Sequence, residues 1–329
     1  MAVIDENGVR RRLKIMLGTD KLAEEYIARY GYRIDVTKIQ GMRATEKTVD
    51  FSVDSETSAD DPIYTIFLKC PSCYMTRLPS HELKAKSLQI LTDRFGMPTY
   101  RDMGRYKAVD YNLLSVTVCP QCLFASPDRK DFITRDPARA REIPSRLHQG
   151  ELAAILAAAD DRANWLADQG MDPMKDFLPR RRTVQAGLAS YELAIERAKI
   201  EFARNVPFSM YKMAGYSLKQ SMICRTYEKD EKSYLAQALK YYLACFERSN
   251  APGFQYEGQV LYLVIALGLR LGQVDTAGSY FGVLDRSKMR MESASVDANV
   301  QQAFMRWYNA AREIWSDREN PDLWVLRSS

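Results

Sequence analysis

The sequence predicts an α+β protein, mainly α, and three observations carry that prediction. Two turns, Cys70-Pro71-Ser72-Cys73 and Cys119-Pro120-Gln121-Cys122, each follow directly on a strand-like run, Ile63–Leu68, rich in β-branched and aromatic residues, and Leu113–Val118. From Glu151 onward, apolar residues recur at helical spacing. Within that stretch, Ala238 with Tyr242 and Ala277 with Phe281 each set a small residue one turn before an aromatic, as in the second helix of a tetratricopeptide unit. A Cys-Pro-x-Cys turn points two thiolates the same way, and two such turns supply the four soft ligands of tetrahedral Zn²⁺. The expected architecture is therefore a zinc-ribbon-like β unit followed by a helical-hairpin, tetratricopeptide-like repeat domain.

Four segments are expected. Residues 1–50 form an N-terminal helical segment, with helices over Val9–Leu17 and Lys21–Tyr30; Thr19-Asp20 offers a cap to the second and Gly31 a left-handed stop. Residues 51–134 form the zinc-ribbon-like domain. It opens on a polar, acidic loop, and between its two knuckles Leu88 and Ile90 alternate with polar neighbours like a strand ahead of a Gly96-Met97-Pro98 turn. Residues 135–182 make a helical connection, Ala-rich to Asp168 with a stop at Gly170, and a linker over Met171–Arg182 that holds Pro173 and Pro179.

Residues 183–329 form the helical-repeat domain. Val184, Leu188, Tyr191, Ile195, Ala198 and Phe202 share one helix face, which requires a covering helix, and five further helical patterns follow. The last of them aligns Val300, Ala303, Trp307, Ala311 and Ile314 and reads as the cap of the stack. The apolar tail Pro321–Leu326 reads as a strap laid back on its own body.

The metal ligands predicted are Cys70, Cys73, Cys119 and Cys122, with Zn²⁺ in a structural role; the competing reading is four unligated thiols in turns. Zinc knuckles often place Gly after the second Cys, where positive φ costs least, and this chain has Tyr74 and Leu123 there. With four thiolates at hand, His81 reads as ordinary surface rather than as a substitute ligand. Cys224 and Cys245 fall in amphipathic helical patterns and read as small buried hydrophobes.

Composition bounds the rest. With 329 residues, 46% hydrophobic and 27% charged, the chain is long enough to bury a substantial core. No run approaches the roughly 18 apolar residues of a spanning helix, and no signal-peptide pattern opens the chain, so the default compartment is the cytoplasm. A net charge of +5 is too mild to argue for nucleic acid by itself. Two basic runs stand out. Arg10-Arg11-Arg12 reads as a solvated helix face, and Arg180-Arg181-Arg182 is a candidate contact for an anion or nucleic acid.

Several short strings resemble a known family. Behind the first Cys pair come Thr92-Asp93, Pro98-Thr99-Tyr100, Asp110-Tyr111, Cys119-Pro120-Gln121-Cys122 with Phe124-Ala125, and Asp131-Phe132. Further on are Tyr262-Leu263, Arg270-Leu271-Gly272, Ala277 and Phe281. Together they resemble the bacterial family known as domain of unknown function 2225, over roughly Ile63 to Trp315. The resemblance implies a Cys₄ metal site at the four positions above and a helical, tetratricopeptide-like carboxyl-terminal region. It implies no activity. The chain departs from the family pattern at Tyr74 and Leu123, where Gly is usual.

Three functions are open to such a chain. A catalytic zinc keeps an open coordination position, whereas four thiolates close it; His81 and His148 belong to no catalytic motif and no phosphate-binding Gly-rich loop is present, so no enzyme is expected. A nucleic-acid-binding zinc ribbon is the alternative, resting on Arg180–Arg182. The expected function is a non-catalytic interaction or scaffold protein, with zinc fixing the small unit and the helices docking another protein of unknown identity. No membrane insertion is expected.

Overall fold

A computed structural model describes residues 6–17, 20–32, 38, 60–136 and 141–324. The fold is mainly helical with small antiparallel strand pairs. Two compact units make it up: one takes the described residues as far as Ser87 together with Asp102–Arg197, the other Leu88–Arg101 with the described residues from Ala198 onward. Among the described residues, no helix is long and apolar enough to cross a membrane. Of the basic run near the N-terminus, the Arg11 and Arg12 side chains lie outside the described residues.

The first unit holds an N-terminal helical hairpin, Glu6–Leu17 and Asp20–Tyr30, whose shared face buries Leu13, Leu17, Ala23 and Tyr26. Strand β1 (Ile63–Leu68) pairs antiparallel with β2 (Leu78–Leu83), with Leu68 opposite Leu78, so the first Cys pair sits in the connection between them. The unit's other strand pairs are β5 (Thr117–Val118) with β6 (Ala125–Ser126), and β7 (Thr134–Arg135) with β8 (Glu142–Ile143). The second Cys pair lies in the β5–β6 connection.

The strand expected over Leu113–Val118 shrinks to its last two residues. Tyr111–Leu113 forms a 3-10 turn capped by the Asp110 carboxylate, which accepts from the Asn112 N–H. The Arg182 guanidinium donates to the carbonyls of Leu113 (3.4 Å) and Val116 (2.7 Å), so a side chain takes the place of a ladder partner.

The Ala-rich stretch is two helices, Gln149–Ala157 and Ala159–Asp168, broken at Ala158. The segment read as a linker is not an exposed tether: it contains the short helix Pro173–Phe177 and buries Phe177, Leu178 and Arg182. Helix Val184–Ala203 follows. Its buried face includes Tyr191, Ile195 and Ala198 as expected, but also the charged Arg197 and Glu201, which periodicity could not reveal. Gly187 lets this helix approach the 3-10 turn, since a Cβ there would lie 2.5 Å from Leu113 Cδ2 and 3.3 Å from its Cα.

The second unit is built on consecutive helices, Ser209–Thr226, Lys232–Glu247, Phe254–Arg270, Val274–Ser293 and Ala298–Ser316. Phe254–Arg270 is the axis and packs on Lys232–Glu247, Val274–Ser293 and Ala298–Ser316. Every residue from Val260 to Gly268 is buried, as an all-round apolar helix must be. Gly258 admits Phe304: a Cβ there would lie 2.8 Å from its ring. Hairpin β3 (Leu88–Thr92) and β4 (Pro98–Asp102) belongs to this unit through Arg101. In it Phe95 stacks on Trp324 at 5.3 Å, and Leu323 is buried, so the tail folds back as expected over its described part, while Val325 and Leu326 lie outside it.

Candidate metal centre

Each knuckle is closed by the same two backbone bonds. The Cys70 N–H donates to the Met75 carbonyl (2.9 Å) and the Tyr74 N–H to the Cys70 carbonyl (3.1 Å). In the second knuckle the Cys119 N–H donates to the Phe124 carbonyl and the Leu123 N–H to the Cys119 carbonyl, both at 2.8 Å. This tight winding puts the residue after each second cysteine in the left-handed region, Tyr74 at φ 63° and Leu123 at φ 57°. The two non-glycine residues hold the conformation for which glycine is the usual choice, at a cost of about 1–2 kcal/mol each. Such strain persists only where surrounding structure over-determines it.

The knuckles bring together Cys70, Cys73, Cys119 and Cys122, all buried, with their sulfurs within 4.8 Å of one another. The Cys70 and Cys122 sulfurs are 3.6 Å apart and those of Cys73 and Cys119 3.5 Å. Four sulfurs about 2.3 Å from one ion would stand about 3.8 Å apart, so the donor set fits a tetrahedral soft divalent metal. All four are free thiols. Burial pushes the Cys70 and Cys119 thiols well above their ordinary value. Cys122 goes the other way: burial would raise it, but hydrogen bonds with Cys119, Cys70 and Cys73 outweigh burial and hold it well below its ordinary value. A bound ion would displace the protons that remain on the cluster.

A second observation supports the fit. Arg162, on helix Ala159–Asp168, is only 4% exposed. One of its terminal nitrogens donates to the Cys122 and Ile155 carbonyls, each at 2.8 Å, while Nε and the other terminal nitrogen have no partner. Burial pushes its pKa below the ordinary guanidinium value, opposed first by the charge of Cys122 and then by Glu196 and Cys70. A buried cation calls for an anion nearby, and metal-bound thiolates with a net negative charge would supply one.

The surrounding side chains fix the second knuckle. Asp131 and Arg197, 0% and 1% exposed, pair at 2.8 Å. Asp131 also accepts from Arg146 Nε (2.6 Å) and the Ser126 hydroxyl (2.6 Å). Burial would raise the Asp131 carboxyl, but Arg197, Ser126 and Arg146 outweigh it and hold the group below the usual carboxylate range. Arg197 also lies over the Phe124 ring at 5.3 Å, and Phe124 meets Phe132 edge-on. Among these, only Asp131-Phe132 and Phe124 stood out in the sequence. Arg162 and Arg197 gave no signal, because nothing in a helical pattern marks a charge that faces inward.

His81 departs from the surface reading, being 2% exposed. Its Nε2 faces the Leu178 carbonyl (3.3 Å) and therefore carries the proton, leaving Nδ1 to accept from the Thr65 hydroxyl at 3.1 Å. Both nitrogens are thus engaged outside the cysteine cluster. Burial, with Arg182 and then Arg180 nearby, lowers its pKa to about 4. Of the three candidate anion contacts, Arg182 is buried against carbonyls and Arg180 pairs with Asp61 at 3.0 Å and donates to the Ile63 carbonyl. Only Arg181 is exposed. Cys224 and Cys245 are buried within helices, as expected.

Fold and site together define a class: mainly helical proteins with a buried four-cysteine cluster, held by two β-knuckles, that can hold a metal ion. The chain belongs to a bacterial family described as an uncharacterized protein conserved in bacteria, domain of unknown function 2225, which it matches over residues 63–306. No curated protein matches it, and no solved structure does.

Proposed function

We propose that the chain is a non-catalytic scaffold of the bacterial cytoplasm. In this reading Zn²⁺ in the Cys70, Cys73, Cys119 and Cys122 site keeps the knuckle-bearing unit folded, and the helices beyond it dock another protein. The observation that carries the reading is the closure of the cluster: four thiols, all buried, converge on one point and leave no ligand position for water or substrate. Bound there, the metal supplies folding energy, on the order of 10 kcal/mol by analogy with zinc-finger peptides. Six free cysteines accord with a reducing compartment.

Two measurements test the reading. Protein prepared under reductant should contain about one zinc per chain, and Cys70→Ser and Cys119→Ser should lose both the metal and the fold of the knuckle unit. Metal far below one per chain, with both variants as stable as the parent, would overturn the assignment. For the scaffold role, tagged protein recovered from its own cytoplasm after nuclease treatment should retain a specific protein partner. Recovery of nucleic acid alone would instead favour the alternative, a nucleic-acid-binding ribbon.

A further inference from the structure

The helical unit contains a cleft of about 600 Å³, within the range of small-molecule sites. Its lining joins the β3–β4 hairpin to the last helix. Four arginines line it, Arg94, Arg101, Arg225 and Arg306, against two carboxylates, Asp93 and Glu313, an excess of two positive charges.

The four cations are not equivalent. Arg94 pairs with Glu313 at 2.6 Å, and Arg225 with Asp93 (3.2 Å) and Glu231 (2.8 Å). Arg101 and Arg306 are exposed, and among the described residues neither has a carboxylate partner. Arg306 lies over the Trp307 ring, 5.3 Å from its centroid, a contact that orients the guanidinium without engaging its N–H donors. The apolar wall is aromatic: Trp307 and Trp324 are half-buried, each in ring contact with a buried partner, Tyr262 and Phe95.

We propose that this cleft binds a nucleoside phosphate, with a terminal phosphate on Arg101 and Arg306 and the ring system against the aromatic wall. A phosphate monoester carries close to two negative charges at neutral pH, which matches the excess. The guanidinium fork matches phosphate oxygens two at a time. The volume exceeds what inorganic phosphate fills, and the part-exposed Trp307 and Trp324 give a planar body something to pack on. The same chemistry arises in a free nucleotide and at the phosphorylated end of a single strand. The inference stands apart from the metal reading, because none of these residues belongs to the unit that carries the cysteines.

The test is calorimetric titration of the full, metal-loaded chain with AMP, GMP, CMP and UMP, with adenosine, inorganic phosphate and a 5′-phosphorylated tetraadenylate in parallel. At least one mononucleotide should saturate with Kd below about 1 mM, more tightly than adenosine or inorganic phosphate. Arg101→Gln and Arg306→Gln, both at exposed positions, should each weaken it about tenfold or more, whereas Arg286→Gln, outside the cleft, should not. Tighter binding of the tetranucleotide would identify a strand end as the source; equal or weaker binding would identify the free nucleotide. If no nucleotide saturates, or if the two cleft variants bind like the parent at unchanged thermal midpoint, the proposal is overturned.

Discussion

Arg162 donates to the carbonyl of Cys122 at 2.8 Å from a position that is 4% exposed, with two of its guanidinium nitrogens unpartnered. A buried arginine beside four convergent thiols makes electrostatic sense when those thiols are ionised on a metal. Arg162→Met should therefore weaken metal binding about 10–100-fold, read by competition with a chelating indicator. Arg162→Lys, which keeps the charge, should recover part of the loss. Equal affinity in the parent and Arg162→Met would show that the cation does not act on the site.

Asp131 ties the second knuckle to helix Val184–Ala203 through Arg197. Asp131→Asn should cost about 3–5 kcal/mol, because a buried guanidinium loses its carboxylate. The double variant Asp131→Asn with Arg197→Met should regain part of that stability. Urea unfolding of the two variants, metal-loaded, measures both.

The left-handed backbone at Tyr74 can be isolated from the contacts of its ring by comparing two truncations. With the ring absent in both, Tyr74→Gly should be more stable than Tyr74→Ala by about 1 kcal/mol, since only alanine carries a Cβ at φ 63°. The opposite order in denaturant midpoints would mean that the turn relaxes once the tyrosine is gone.

His81 gives a signed pH dependence. The unfolded chain takes up a proton near 6.5, whereas the folded chain resists it until about 4. The stability from its neutral form is complete above about 6.5 and falls away as pH drops toward 4, by at most about 3 kcal/mol. His81→Gln should flatten the stability profile between these limits relative to the parent. Comparing the two proteins separates this effect from loss of metal in acid, which both share.

Two helical glycines should respond oppositely. At Gly215 an added Cβ has its nearest neighbour at 3.9 Å, so Gly215→Ala should stabilise by about 1 kcal/mol through helix propensity. At Gly258 the Cβ would lie 2.8 Å from the Phe304 ring, and overpacking of about 1–3 kcal/mol should exceed the same gain. Thermal midpoints of the two variants check the opposite signs, and the Gly258 variant reads the packing of helix Phe254–Arg270 on Ala298–Ser316.

Much of this was legible before any coordinates. The two Cys-Pro-x-Cys strings are local signals, and a turn that aims two sulfurs together is encoded in four adjacent residues, so the ligand set could be read directly. The same holds for the helices beyond Thr183, where apolar spacing repeats over many turns. The left-handed backbone at Tyr74 and Leu123 could be anticipated as a departure from glycine, because the knuckle's winding dictates φ whatever residue occupies the position.

What sequence could not carry was the partner of each inward charge. The short β5 strand, the buried linker segment and the true surroundings of His81 follow from Arg182 meeting Val116 across 66 residues of chain and His81 meeting Leu178 across 97. Periodicity places a residue on a face; it does not say which distant carbonyl or carboxylate will be waiting there. The sequence by itself determined four ligands and a helical body. Only the tertiary structure decided that Arg162 and Arg197 turn inward beside the knuckles and that Leu88–Arg101 packs with the helices, because desolvated charges and a hairpin's apolar face are satisfied by whatever folding brings near.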